Sequence, residues 1–314
     1  MMKKILIIGG GGYIGTELCN YLSDKKFKVI CLDIFWFGNK LNKKVKIIKN
    51  DIRNLKSSYF KNIDVVINLA YLANDPLCEI NARDTWEIGP LSLYQMLEFS
   101  IKNKVKKFIF ASSGCVYGVK KEKKVTEKLS LEPMTDYNKS KMICEKIIQS
   151  YEKKIKTVIL RPATVMGFSK RLRLDIVLNL FSYQAFYKKK ISVFGGGQIR
   201  PLIHLKDMVR VYEHFINKNF IGTYNTGFEN VSVKKIADIV KNIIPCKVES
   251  IKTHDPRTYR MDSTKLIKTG FKPLFNSVDA AKELKNEFEK GFKPKKENWN
   301  LNYLLEKRKI IKTN

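Results

Sequence analysis

The chain has 314 residues and a formal net charge of +30, with 60 basic residues against 30 acidic ones. This length suits one large α/β unit or two domains that share a core. No apolar run approaches the roughly 20 residues that span a membrane, and the start of the chain lacks the arrangement of a signal peptide. We therefore expect a soluble, cytoplasmic protein that has no membrane partner.

The lysines are spread along the whole chain, which favours a solvated basic surface over a nucleic-acid partner. A non-catalytic nucleotide- or polyanion-binding protein is the alternative from another functional class. The six cysteines form no CxxC pair, and most have apolar neighbours. We expect reduced, buried thiols and no metal site.

Short apolar runs alternate with helical patterns through the first half of the chain. Predicted strands cover 3–8, 28–32, 45–48, 64–69, 107–111 and 156–161, and predicted helices cover 12–24, 84–102 and 137–153. Continuous apolar strands are typical of a sheet that is covered on both faces. The alternation predicts βαβ crossovers, and therefore an α/β fold with a parallel sheet.

The pattern loosens after Arg161-Pro162. Helices are predicted at 175–188, 206–217, 233–244, 278–290 and 298–309, with a glycine turn at 195–197 and a short strand at 223–225. We interpret 1–165 as a nucleotide-binding domain and 166–314 as mainly a smaller, mixed α/β substrate-binding domain. We also expect the chain to return to the first sheet near 203–227.

A glycine-rich loop joins the first predicted strand to the first predicted helix. Gly10, Gly12 and Gly15 fit the dinucleotide fingerprint GxGxxG, while Gly9, Gly12 and Gly15 fit a wider spacing. Glycines let the backbone approach a pyrophosphate at the positive end of the helix. The loop predicts a Rossmann-type doubly wound sheet that binds a dinucleotide, and a tight turn without a ligand is the alternative.

Asp33 ends the second predicted strand, 18 residues after Gly15. A carboxylate at this position accepts hydrogen bonds from the adenosine ribose and repels a 2′-phosphate. The next residues, 34–36, include no arginine, so NAD is favoured over NADP. Asp51 and Ile52 follow the third strand and are candidate neighbours of the adenine; alternatively, Asp51 is only a helix cap.

Tyr137 and Lys141 are the candidate reacting pair. Thr135-Asp136 can cap a helix that begins near Tyr137, which places both side chains on one helical face. The ammonium group is expected to lower the pKa of the phenol, so that it can act as a base. Ser113, which follows a predicted strand, can hold a substrate hydroxyl. An ordinary surface tyrosine and lysine are the alternative.

Together these features resemble the extended short-chain dehydrogenase/reductases, the NAD-dependent nucleotide-sugar epimerase/dehydratase family, over nearly the whole chain. The segments that carry the resemblance are GGGGYIG at 9–15, Asp33, Asp51-Ile52, Asn68-Leu69-Ala70, SSGCVYG at 112–118, Tyr137-x-x-x-Lys141 and Arg161-Pro162. The resemblance implies further cofactor contacts from Tyr13, Ile14, Leu69 and Ala70.

The resemblance also implies a mechanism. Tyr137 takes a proton from a sugar hydroxyl, usually the one on C4, while hydride passes to the nicotinamide. Lys141 also holds the nicotinamide ribose, and Ser113 steadies the substrate oxygen. The substrate contacts that it implies are Asn74, Ser113, Tyr137, Thr164, Arg200 and Arg257. The two arginines are expected on the diphosphate, because a guanidinium binds phosphate with two hydrogen bonds.

Several positions depart from the family pattern, and Gly89-Pro90 and Thr164 stand where the family usually has asparagines. Gly114 and Cys115 stand where 4,6-dehydratases carry acidic residues, which disfavours dehydration. Cys115 also matches the acid/base cysteine of GDP-fucose synthases. Those enzymes carry a partner histidine near Gly167-Phe168, and this sequence has none there, so a packed thiol is favoured.

The stretches 74–76, 161–167 and 255–260 resemble a branch that includes dehydrogenases of GDP-manno-heptose, which act in bacterial capsular heptose biosynthesis. We therefore expect NAD-dependent oxidation of the C4 hydroxyl of a nucleotide sugar, with a GDP-linked sugar favoured. A 4-epimerase that retains its NAD is the main alternative. The resemblance also implies a homodimer or homotetramer, formed through the helices near 88–102 and 137–153.

Overall fold

The computed structural model of the chain describes residues 2–73, 75–253 and 258–311. Its strands are β1 (Lys3–Ile8), β2 (Phe27–Asp33), β3 (Lys46–Lys49), β4 (Val65–Asn68), β5 (Lys107–Ala111), β6 (Lys156–Pro162), β7 (Thr164–Met166), β8 (Lys190–Phe194), β9 (Ile199–His204), β10 (Gly222–Thr226), β11 (Glu229–Ser232) and β12 (Lys247–Ile251). Its helices are α1 (Tyr13–Asp24), α2 (Asp75–Ile80), α3 (Ala82–Trp86), α4 (Ser92–Lys102), α5 (Asp136–Ser150), α6 (Val177–Lys188), α7 (Leu205–Asn217), α8 (Val233–Ile243), α9 (Thr264–Ile267), α10 (Ser277–Glu289) and α11 (Asn300–Ile311).

A seven-stranded sheet in the order β10-β6-β5-β4-β1-β2-β3 organises the molecule. All of its strand pairs are parallel. The strand order reverses between β1 and β4, and ligands of such sheets bind outside the carboxyl ends of the strands at this point. The predicted α/β class and the parallel doubly wound sheet are confirmed.

The second half of the chain adds two small sheets. The first has the order β11-β9-β7, and the second pairs β12 with β8. The chain returns to the large sheet at β10, which pairs with β6. The strand β9 does not join the large sheet. It pairs with β7, which directly follows β6, so β9 lies near the carboxyl end of β6.

The central strand shows why these residues form a sheet with two covered faces. Side chains alternate in direction along a strand, so Ile5 and Ile7 enter one apolar cluster while Leu6 and Ile8 enter the cluster on the other side. All four side chains are fully buried. Each stabilises the fold by about 2 kcal/mol relative to an exposed position.

The helix predicted over 84–102 is present, but it is not regular throughout. It runs without a break from α3 through a π-helical turn at Glu87–Leu91 into α4. Pro90 lies inside the π-helical turn, and its ring and missing N–H disturb regular α-helical hydrogen bonding. A Cβ on Gly89 would lie 2.5 Å from the Tyr71 hydroxyl oxygen. The irregular turn therefore lets the backbone approach Tyr71 closely.

Candidate active site

A cleft of about 1100 Å³, including the open solvent at its mouth, lies at the carboxyl ends of the central strands. The predicted cofactor residues that line it are Gly9, Gly12, Tyr13, Ile14, Gly15, Asp33, Asp51, Ile52, Leu69 and Ala70. Ala111, at the end of β5, lines it as well. The structure thus brings the residues chosen for a dinucleotide to one continuous surface.

The glycine loop is fixed by close backbone approach. Gly9 has a φ of +83°, and a Cβ there would lie 2.4 Å from the Ala70 nitrogen. A Cβ on Gly15 would lie 2.4 Å from the Gly9 oxygen. Gly12 begins α1 and has more space, since the nearest atom to a Cβ is 3.4 Å away. The open N-terminus of α1 therefore fits a pyrophosphate.

Asp33 is held in place by the loop it faces. Its carboxylate accepts hydrogen bonds from the Gly11 nitrogen at 2.9 Å and the Phe35 nitrogen at 2.6 Å. Burial raises its pKa above the ordinary aspartate value, while these N–H donors favour the ionised form. Each carboxylate oxygen can accept a further hydrogen bond, so the side chain suits ribose hydroxyls.

Asp51 combines the two roles considered for it. Its side chain accepts from the Arg53 nitrogen at 2.9 Å and caps the short helix Ile52–Asn54. It also forms an ion pair with the Arg53 side chain at 2.6 Å. Because the same residue lines the cleft, the cap holds it at the end where the adenine is expected.

Lys141 lies on α5 and reaches the end of β5, where Ala111 lines the cleft. It is only 3% exposed, and its Nζ donates to the Ala111 oxygen at 2.6 Å. The same Nζ lies 3.6 Å from the ring centroid of Tyr71 and 5.9 Å from that of Tyr137. Burial lowers the pKa of Lys141 to about 8. The ammonium is thus held by a carbonyl and aromatic faces.

Tyr137 lies beside Ser113. Burial, and then the neighbouring Cys115, raise the pKa of Tyr137, while a hydrogen bond with the Ser113 side chain lowers it. The low pKa that was expected for Tyr137 is therefore wrong. Loss of water around the phenolate is the largest cause.

Local capping directs these side chains. The Thr135 hydroxyl accepts from the Asn138 nitrogen at 3.3 Å and begins α5. It also hydrogen-bonds the Asp75 carboxylate at 2.5 Å. Tyr137 and Lys141 follow on the first turns of α5, so one cap sets both positions.

A buried ion pair supports the segment that carries Ser113. The Arg161 Nη2 lies 2.6 Å from the Glu145 Oε2, and both side chains are almost fully buried. Ser112 donates a hydrogen bond to the same carboxylate, and the Arg161 Nη1 contacts the Tyr117 hydroxyl at 2.7 Å. This network joins α5 to the ends of β5 and β6. No sequence motif pointed to Glu145, because its partner is 16 residues away.

Apart from Ser113 and Tyr137, two of the implied substrate contacts lie on neighbouring strands. Thr164 is in β7, where it pairs with Leu202 of β9, and Arg200 is in β9. Asn74 and Arg257 lie outside the described residues. Thr258, just after the second gap, accepts from the Ile199 nitrogen at 3.0 Å and attaches its segment to β9.

Tyr259 connects the two sides of the site, and sequence reasoning missed it. Burial raises its pKa, Cys115 and Tyr137 raise it further, and Arg200 opposes them. The phenol is therefore close enough to feel both Arg200 and the reacting tyrosine. Its place beside Arg200 depends on packing between distant segments, which no spacing in the sequence reveals.

Gly114 is closely packed. A Cβ on this residue would lie 2.5 Å from the Met261 Cε and 2.6 Å from the Tyr259 hydroxyl oxygen. An acidic side chain does not fit at this position without a shift of both neighbours.

Cys115 is an exposed thiol, not the packed one that was favoured. Its nitrogen donates to the Ser113 hydroxyl at 3.1 Å. A histidine does reach Gly167 in space, because His204 lies 3.3 Å from the position of a Cβ there. However, the His204 Nδ1 accepts from the Lys206 nitrogen and its Nε2 lies 3.3 Å from Glu283. His204 is thus a buried connecting residue.

Two arginines also line the cleft without having been predicted. Arg171 and Arg173 come from the segment between β7 and α6. The sequence analysis found no arginine directly after Asp33, yet Arg171 is close enough to attract that carboxylate. A distant segment therefore supplies the positive charge that the neighbouring sequence lacks.

The fold and the site define an NAD-dependent oxidoreductase with a tyrosine–lysine pair. A family model described as the NAD dependent epimerase/dehydratase family matches residues 5–227. The chain belongs to this family, as the sequence analysis predicted, and NAD is its cofactor.

The relatives are similar over almost their full length. The chain is 30% identical, over 90% of its length and 97% of the relative's, to a putative UDP-glucose 4-epimerase of Methanocaldococcus jannaschii. It is 26% identical to a mutant of UDP-glucuronic acid 4-epimerase from Bacillus cereus, solved with a fluorinated UDP-sugar and NAD. That match has a TM-score of 0.83 and covers 92% of this chain and 100% of the other.

A third match supports the fold alone. It is the UDP-N-acetylglucosamine 4-epimerase from Methanobrevibacter ruminantium M1, with 22% identity, a TM-score of 0.85 and coverage of 92% of this chain and 99% of the other.

Within the part of the chain that the structure describes, no helix has the length and apolar character to cross a bilayer. The same residues include no group of three or more His, Cys, Asp or Glu side chains placed to hold a metal ion.

Proposed function

We propose that this enzyme oxidises the C4 hydroxyl of a nucleotide-activated sugar transiently and re-reduces the resulting ketone, so that the net reaction is 4-epimerisation. The observation that carries the proposal is the set of Ser113, Tyr137 and Lys141 at the Ala111 end of the dinucleotide cleft. A protein that only binds nucleotides has no need of this set.

The chain's own residues supply proton transfer and orientation. NAD, when bound, supplies a hydride acceptor and the positive charge of the oxidised nicotinamide. That charge adds to Lys141 and opposes the effect of burial on Tyr137, so the phenol can give up its proton. Tyr137 then takes the proton of the sugar hydroxyl, while Ser113 holds the same oxygen.

On the substrate side, we propose that Arg200 binds the sugar-nucleotide diphosphate and that Thr164 lies beside the sugar. Both are on strands that meet the carboxyl end of β6. The positive overall charge of the chain also favours a diphosphate ligand. We extend the proposal to Asn74 and Arg257 from the family resemblance alone.

Dehydration is disfavoured, because Gly114 leaves no room for the acidic residue expected of a 4,6-dehydratase. The sequence analysis favoured a dehydrogenase of a GDP-linked heptose, and this is the second candidate, carried by the stretches 74–76, 161–167 and 255–260. The similar proteins are named as epimerases of UDP-sugars. For this reason we place UDP-sugar epimerisation first.

The test is to incubate the purified protein with UDP-glucose, UDP-N-acetylglucosamine, UDP-glucuronic acid and GDP-manno-heptose. NADH absorbance and product mass are followed together. An epimerase gives a product of unchanged mass with no accumulation of NADH. A product two hydrogens lighter, with NADH in equal amount, supports the dehydrogenase, and loss of water supports a dehydratase. Retention on heparin without turnover of any sugar would favour the polyanion-binding alternative.

We also propose a dimer formed through α4 and α5. The region at the start of α4 carries exposed apolar side chains, with Leu91 64% and Tyr94 54% exposed. Apolar groups of this size on a surface are candidates for a subunit contact. Sedimentation analysis of the wild type and of Tyr94→Lys tests this, since a charge there should shift a dimer towards monomer.

A further inference from the structure

Arg171 is a buried arginine that belongs neither to the glycine loop nor to the tyrosine–lysine pair. It follows β7, is 3% exposed and lines the dinucleotide cleft. Arginine is almost never this deeply buried unless its charge is paired. We therefore expect its guanidinium to have partners that balance its charge.

The guanidinium is held by neutral groups on three sides. Nη1 donates to the Leu172 oxygen at 3.2 Å, and Nη2 donates to the Asn300 Oδ1 at 2.5 Å. Its central carbon lies 3.8 Å from the ring centroid of Phe37. The Nε is buried and has no hydrogen-bond partner among the described residues. Among the described residues, one donor of this cleft-lining cation is thus left without a partner.

The charge of Arg171 is also incompletely balanced. Burial, and then the neighbouring Arg173, lower its pKa to about 9, although Asp175, Asp33 and Glu297 oppose this shift. Arg173 itself is paired with Asp175 through two contacts of 2.8 and 2.9 Å. Arg171 instead hydrogen-bonds only carbonyl oxygens within the described residues. An anion in the cleft would supply the missing counter-charge.

The dinucleotide brings such an anion. The glycine loop offers the diphosphate only neutral N–H groups, and two carboxylates, Asp33 and Asp51, line the same cleft. A nearby cation therefore offsets their repulsion of the ligand. Charge-assisted hydrogen bonds from arginine to phosphate oxygens are among the stronger contacts in proteins.

We propose that Arg171 is a cofactor-binding residue, that its guanidinium donates to the diphosphate of NAD, and that Asn300 positions it. Asn300 begins α11, which lies beyond residues 5–227 of the family match. The C-terminal helix thus takes part in holding the cofactor. This inference depends on NAD binding and not on the proposed sugar chemistry.

Two further contacts of α11 strengthen the role of this helix. Leu304 lines the cleft, and the Tyr303 ring lies 5.6 Å from the ring of Phe37. Phe37 is in the segment that follows Asp33 and also lines the cleft. The helix therefore lines the cleft beside Phe37, the ring on which the Arg171 guanidinium is stacked.

The experiment compares three ligands on protein freed of nucleotide, with tryptophan fluorescence as the readout, since Trp36 lines the cleft. The ligands are NAD, ADP and adenosine, and only adenosine lacks the diphosphate. Arg171→Met should weaken NAD and ADP binding about 10- to 100-fold, as expected for a hydrogen bond to a charged group. It should leave adenosine within about twofold of the wild type, because only the diphosphate contact is removed.

Two companion variants complete the test. Asn300→Ala keeps Arg171 but removes the side chain that positions its guanidinium. It should weaken NAD and ADP binding less than Arg171→Met does, and it should leave adenosine binding unchanged. Arg83→Met makes the same chemical change at a surface arginine whose side chain is 86% exposed, and should leave all three affinities unchanged. Near-UV circular dichroism checks that each variant is folded.

Unchanged NAD and ADP affinity in folded Arg171→Met would overturn the inference. An equal loss for adenosine would overturn it as well, because Arg171 would then only shape the cleft. If Arg171→Met does not fold, Asn300→Ala decides by the same ligand comparison. Sugar turnover enters none of these measurements, so a failure of the proposed function leaves their result intact.

Discussion

The cofactor side and the substrate side of this site are built in different ways. On the cofactor side, Gly9 and Gly15 are held by backbone atoms 2.4 Å from where their Cβ atoms would be, and Asp33 is held by two N–H donors. On the substrate side, Tyr259 lies close enough to Arg200 to be affected by its charge, although the two residues belong to distant segments. Backbone geometry thus shapes the proposed cofactor side, while side chains from distant segments shape the proposed substrate side.

The largest effect is expected where the two sides meet. Tyr137→Phe removes the proton acceptor and should lower kcat about 10²- to 10⁴-fold, the usual contribution of a positioned acid or base. The dissociation constant of NAD should stay within about threefold, since the glycine loop and Asp33 are untouched. Steady-state kinetics and fluorescence titration measure the two quantities. Near-normal kcat in this variant would remove Tyr137 from the mechanism.

The second largest effect is expected on stability, at the buried ion pair between Glu145 and Arg161. Glu145→Gln leaves the Arg161 guanidinium buried without its carboxylate, and should cost about 3–5 kcal/mol in the free energy of unfolding. Glu249→Gln is the control, because its ion pair with Lys190 is half exposed and such pairs contribute about 0–1 kcal/mol. Urea denaturation measures both. Equal losses would show that burial of the pair does not matter.

A third prediction uses pH. The pKa of Lys141 is about 8 in the folded protein and 10.5 ordinarily. Between these values the unfolded chain holds a proton that the folded chain lacks, so stability contributed by this group rises with pH. Below pH 8, Lys141→Met should therefore be more stable than the wild type, by at most about 3 kcal/mol.

This advantage should shrink as pH rises from 8 towards 10.5, where the wild type no longer buries a charge. Urea denaturation of both proteins at about pH 7 and about pH 10, on either side of this range, checks the difference. Lys107, whose pKa burial also lowers to about 8, is present in both proteins and cancels. A difference that does not change with pH would mean that Lys141 is not buried as a cation.

The smallest effect is expected when one glycine of the cofactor loop is compared with one glycine in the second half of the chain. Gly15→Ala places a methyl group against the Gly9 oxygen, and should cost about 2 kcal/mol in stability, as overpacking does, together with weaker NAD binding. Gly197→Ala is the matched control, because no atom lies within 4 Å of its Cβ position. Thermal unfolding and NAD titration compare the variants, and similar losses in both would contradict a cofactor side fixed by its backbone.

The sequence predicted ten of the residues that line the cleft, because the loops that carry them follow strand ends, as Gly9 and Asp33 do. It did not predict Arg171 or Glu145, whose roles depend on partners 129 and 16 residues away. It also missed the π-helical turn at Pro90, because the apolar pattern of 84–102 is continuous through it. Short spacings in a sequence predict local backbone geometry well. They do not predict which distant side chains come into contact.

Transient oxidation at C4 is tested most directly by the mass of the product formed from UDP-sugars in unlabelled and C4-deuterated form. We expect a 4-epimer of unchanged mass that keeps its own deuterium, with no NADH released to solution. Release of NADH carrying the deuterium, with a ketone as the stable product, would contradict epimerisation and support net oxidation instead.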